Sequence, residues 1–133
     1  MVTDPVPRSA AGRLNQDIAN AVVRCHKRLL GRGPMKAQAF FRNNFVVVVL
    51  ETAMTEAERR LAENGDRDSV LEMRQLYQQA MRDDLVAAVE QLTARKVEAF
   101  LTANHIAPDV ATHVFVLDQP VAGEPAETAP QSG

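Results

Sequence analysis

The chain has 133 residues, 46% of them hydrophobic and 24% charged, with a formal net charge of -2. That is one domain's worth of chain, long enough to bury a core without disulfides or a metal, and so small a net charge gives no global drive toward nucleic acid or an anionic membrane. The single cysteine, Cys25, excludes an intrachain disulfide framework and fits a reducing, cytoplasmic setting.

The N-terminal "MVTDPVPRSAAGR" has prolines and charges but no apolar stretch of the secretory kind. The longest apolar run, Phe45 to Leu50, falls far short of the roughly 20 residues that span a bilayer as a helix, so no direct membrane insertion is expected. Residues 1–9, with two prolines, and the Pro-Ala-rich acidic end, 119–133, read as disordered tails because neither can bury enough apolar surface to order itself. Between them, 10–118 forms a single domain.

Leu14, Ile18, Ala21, Val22, Cys25 and Leu29 recur at the spacing of a helix with one buried stripe, which predicts a first helix from about Ala10 to Leu30. Gly31 can take the left-handed conformation that ends a helix and Pro34 cannot continue one, so Gly31-Arg32-Gly33-Pro34 is a corner leading into the next element. From Met35 the period changes to two. Placing Asn43-Asn44 at the centre of a tight hairpin pairs Phe41 with Val46, Ala39 with Val48 and Ala37 with Leu50 on one face. The other face then carries Lys36, Gln38, Phe40 and Arg42 against Phe45, Val47, Val49 and Glu51, polar at its ends and apolar in its middle.

Thr55-Glu56-Ala57-Glu58 is a capping box that starts a short helix, and Asn64-Gly65 ends it. Ser69-Val70-Leu71-Glu72 offers a second box. The stripe Val70, Met73, Leu76/Tyr77, Ala80/Met81, Leu85, Ala88/Val89, Leu92 then predicts the longest helix, about 67–92. Two strands follow, near 95–104 and 111–118, joined by a loop holding Pro108-Asp109. The order α-ββ-α-α-ββ predicts an α+β two-layer domain, an antiparallel sheet from two β-hairpins packed against helices.

No catalytic constellation emerges: there is no serine elbow, no carboxylate pair set for acid and base roles, and no metal-ligand spacing among Cys25, His26, His105 and His113. No enzyme activity, cofactor or metal is therefore expected, and Cys25 on the apolar stripe reads as a buried, inert thiol. Carboxylates such as Glu56 and Glu58 read as members of surface ion pairs. Arg24 to Lys36 is the one base-rich stretch without an acid; Arg28, Arg32 and Lys36 are its candidates for binding a small anion or nucleotide, with helix capping and a solvated face as the plainer reading. As a nucleic-acid footprint the patch is thin. The length of the long apolar stripe and the partly apolar second hairpin face exceed what one four-stranded sheet can cover, so a homodimer is expected, with Phe40, Phe45, Val47 and Val49 as interface candidates.

The helix ending in "GRGP", the segment "FVVVVLETAMTEAERRLAENGDRDSVLEMRQLYQQAMRDDLVAAVEQLTARKVEAFLT" and the closing "FVLD" resemble the MpsC family of small bacterial proteins, named for a Na+-translocating, membrane-potential-generating system. The most specific pieces are Gly31-Arg32-Gly33-Pro34, Thr55-Glu56-Ala57-Glu58, Arg74 and Arg82. The resemblance implies a soluble cytoplasmic accessory protein linked to membrane ion or bicarbonate transport through other subunits, and it carries over no catalytic residue. Two departures stand out. Ala94 replaces the glycine of the family's "LTG", and the last hairpin loop, "NHIAPDVAT", lacks the family's acidic, threonine-containing form. Without a membrane segment such a chain could serve transport only as an accessory.

Overall fold

The computed structural model describes residues 6–32, 34, 36–51 and 54–122. Helix α1 spans Val6–Leu30, starting four residues before the apolar stripe predicts, because Pro7 sits in the first turn, where its missing N–H has no helical partner to lose. Gly31 ends the helix at φ 82, its N–H donating to the Lys27 carbonyl at 2.9 Å. Gly33, in the same corner, lies outside the described residues, as do 1–5 and 123–133 of the tails expected at 1–9 and 119–133; residues 6–9 of the first tail belong to α1 instead.

Strands β1 (Lys36–Arg42) and β2 (Phe45–Glu51) pair in the predicted register: Phe41 opposite Val46, Ala39 opposite Val48, Ala37 opposite Leu50. Asn43 takes the positive φ of the turn, 59. Asn44 instead uses its side chain, donating from Nδ2 to the Leu117 carbonyl at 3.0 Å. Helix α2 (Glu56–Glu63) begins with the capping box in full: Glu58 N–H donates to Thr55 Oγ1 at 3.1 Å and Thr55 N–H to Glu58 Oε1 at 2.8 Å.

Helix α3 (Arg67–Thr93) starts after Asp66, whose side chain makes no capping bond, so the box expected at Ser69 is not used; Ser69 already lies inside the helix. Its buried line also departs from the predicted stripe. Val70, Met81, Leu85 and Val89 are buried as expected, and Met73 and Tyr77 are half-buried, but Arg74 and Gln78 take the buried places in that stretch, and Leu76 is 64% exposed. Strands β3 (Val97–His105) and β4 (Val110–Leu117) complete an antiparallel sheet of order β1-β2-β4-β3.

The fold is therefore the predicted two-layer α+β domain in the order α-ββ-α-α-ββ. Ile18, Val22 and Cys25 of α1 and Met81, Leu85 and Val89 of α3 pack on one face of the sheet, against Val46, Val48, Leu50, Ala111, Phe115 and Leu117. Packing continues past residue 118: Val121 is buried at 3% exposure, and its N–H donates to the Asn43 carbonyl at 3.0 Å. Among the described residues no helix is long and apolar enough to cross a membrane.

Candidate functional site

Because side chains alternate along each strand, the face of the sheet turned away from α1 and α3 carries four cross-strand rows. The third row runs Phe40, Val47, Val114, Leu101, one residue from each strand and apolar throughout. Phe45, Val116 and Ala99 continue it toward one end, beside Arg42; Gln38, Val49, Thr112 and Ala103, then Lys36, Glu51, Val110 and His105, lie toward the other. Phe40, Phe45 and Leu101 are 49%, 46% and 55% exposed, and Val47 and Val49 are half-buried by their neighbours. The four residues named from the first hairpin thus share one surface, and the second hairpin doubles it. That extension was invisible in sequence because it depends on β2 pairing with β4 across some sixty residues of chain.

The basic stretch does not assemble as one site. Arg28 Nη1 lies 3.4 Å from Asp84 Oδ2 on α3, both side chains exposed, so its charge is already answered by an acid. Arg32 is half-buried in the corner and Lys36 exposed at the start of β1. His26, in the middle of the stretch, turns inward and is buried. Cys25 is buried as expected, and desolvation pushes its thiol pKa up, outweighing the lowering effect of nearby Arg28.

The buried face holds a polar network that the sequence reading missed. Arg74 is 5% exposed. Its Nε lies 3.7 Å from Glu58 Oε2 and its Nη2 3.4 Å from Asp109 Oδ1, while Nη1 donates to Asn104 Oδ1 at 3.2 Å. Asn104 also accepts from Gln78 Nε2 at 2.8 Å and donates back to Gln78 Oε1 at 3.1 Å. Asp109 Oδ2 accepts from the Met54 N–H at 2.8 Å, tying the chain before α2 to the β3–β4 turn. Glu58 is therefore a buried partner of Arg74, not the surface ion pair expected of it; Glu56, at 3.9 Å from Arg60, does make such a pair. A buried guanidinium is tolerable because several oxygens share its donors, and a planar fork can reach a helix, a strand and a turn at once.

Beside it, His26 Nε2 and His113 Nε2 are 3.4 Å apart, and His113 Nδ1 is 3.1 Å from Thr102 Oγ1, which donates to the Thr112 carbonyl at 3.1 Å. A carbonyl only accepts, so the threonine proton goes there, His113 donates from Nδ1, and His26 donates to the bare Nε2 of His113. Both rings are neutral in this chain. Burial, then Arg74, pushes the His26 pKa down to about 4; burial, then His26, pushes that of His113 down to about 3. A cavity of about 20 Å3 lies among His26, Glu58, Arg74, Gln78 and Met81, room for little more than one water molecule. The arrangement ties α1, α2, α3 and both strands of the second hairpin together. One signal could have exposed it: Arg74 and Gln78 fall on the line Val70, Met81, Leu85, where a polar residue needs a buried partner.

Comparison with curated proteins and with solved structures finds no match. A family model described as "Na+-translocating membrane potential-generating system (MpsC)" matches residues 10–119. That span takes in both hairpins, α2, α3 and nearly all of α1, so the chain belongs to the MpsC family.

Proposed function

We propose that this chain is a non-enzymatic accessory protein of a Na+-translocating, membrane-potential-generating system, and that it works as a homodimer through the open face of its sheet. The observation that carries the reading is the apolar row Phe40, Val47, Val114, Leu101, which crosses all four strands on the side away from the helices. A contiguous apolar surface framed by polar residues marks a contact site more often than a free one. Family membership supplies the system. Because no helix among the described residues can cross the membrane, the chain would serve that system from the outside, through contacts.

Light scattering on a sizing column tests the dimer: the expected particle has twice the 14.6 kDa chain mass at ~100 µM, and Val47→Asp, which buries a charge in an apolar contact, shifts it to the monomer. A wild-type chain that stays monomeric at that concentration removes the dimer. The accessory role is tested in the native cell, where deleting the chain should lower the Na+-dependent membrane potential read by a potential-sensitive dye; an unchanged potential would sink it.

A further inference from the structure

Resting on the dimer reading above, the geometry points to one arrangement: two copies stack sheet on sheet about a two-fold axis that runs parallel to the strands, between β2 and β4. A face-to-face pair related by a two-fold axis in the interface plane has two simple choices, and the rows decide between them. An axis along the strands keeps each row over the same row of its mate and exchanges strands, β1 over β3 and β2 over β4. Phe40 then meets Leu101 of the second copy, and Val47 meets Val114, so the one fully apolar row is matched against itself. Lys36 lies over His105, and Arg42 over Ala99.

An axis across the strands reverses the rows instead. Lys36 then falls over Arg42 of the mate, two cations face to face, Glu51 falls over Phe45, and Phe40 lands on Gln38. Like charges brought together in a contact oppose it, and although Val47 falls over Val49 and Leu101 over Ala103, Phe40 and Val114 exchange apolar mates for Gln38 and Thr112. Pairing through sheet edges fares no better. An antiparallel β1 to β1 contact again sets Lys36 opposite Arg42, and β3 carries an irregularity between Val97 and Ala99, the kind of feature that keeps an edge unpaired. From strand spacing and length the face projects to roughly 450 Å2, more once side-chain relief is counted, which approaches the ~600 Å2 per partner at the lower end of standard interfaces.

The test exchanges charges between copies. Phe40→Asp and Leu101→Lys alter exposed side chains, so each chain should fold, as thermal melts will show, while its dimer weakens by ~10-fold or more because an unpaired charge meets an apolar partner. Mixing the two should restore a heterodimer, detected by native mass spectrometry, since the carboxylate introduced on β1 of one copy sits over the ammonium introduced on β3 of the other. If Phe40→Asp instead pairs with Gln38→Lys and not with Leu101→Lys, the axis runs across the strands and the arrangement is overturned while the dimer stands. A wild-type monomer overturns both, and a Phe40→Asp chain that dimerises as well as wild type removes this face from the contact.

Discussion

Acidification should unfold this protein earlier than its carboxylates alone would dictate, and the histidine pair sets the scale. His26 and His113 titrate at about 4 and about 3 in the folded chain, against ~6.5 when unfolded. Their folded pKa values are depressed, so between those values and ~6.5 the unfolded chain binds more protons, and stability rises with pH across that window. It is complete above ~6.5 and is lost as pH falls toward 4. At pH 5 each ring costs ~2 kcal/mol relative to pH 7.5, about 4 kcal/mol for the pair, a large share of the ~5–15 kcal/mol that holds a small domain folded. Urea midpoints at intervals from pH 7.5 to 5.0 would measure it, stopping where ordinary carboxylates begin to take up protons. His113→Phe, which keeps a ring against Phe100 and Phe115, should reduce the slope toward half. Equal stability at pH 5.0 and 7.5, or a variant with the parent's slope, would refute the buried neutral pair.

Three further outcomes follow from the network and the helix ends. Arg74→Ala leaves the Glu58 and Asp109 carboxylates without their cation and should cost ~3–5 kcal/mol in denaturant unfolding, or prevent folding altogether. Arg28→Ala should cost under ~1 kcal/mol, because its bridge to Asp84 is exposed on both sides; a larger loss would give that arginine a structural role the geometry lacks. Ala94→Gly should gain ~0.5–1 kcal/mol in the same assay, since Ala94 caps α3 in the left-handed region at φ 60, where a Cβ is unfavourable.

The first hairpin was readable in sequence because its register depends on one local device. Asn43-Asn44 fixes the turn, and a period-two pattern on either side fixes which face is buried. The capping box of α2 was readable for the same reason: every group in it lies within four residues. Arg74, Glu58 and His26 were not, because charge and polarity argue for the surface until a distant partner is known. Arg74 finds Asn104 and Asp109 thirty and thirty-five residues away, and His26 finds His113 eighty-seven away. The helical period of α3 was clear, yet its buried line rotated toward those partners and left Leu76 outside. On the outer face the situation reverses: the first hairpin's contribution was legible, and the contribution of β4 waited on knowing which strands are neighbours.

The placement of β2 between β1 and β4 also shapes how the chain is born. Its first edge can pair with β1 as soon as residues 45–51 have left the ribosome, but its second edge must wait for residues 110–116, which arrive ~3–15 s later at ordinary synthesis rates. Through that interval a run of four valines has an open edge and a bare outer face, its inner face having only α1 to cover it until α3 arrives, the setting in which chains of this composition join one another. Arg42 and Glu51 at the strand ends are placed as guards, since a charge flanking an apolar strand resists such pairing. The nascent protein is thus most vulnerable at a strand that is paired along both edges once synthesis ends.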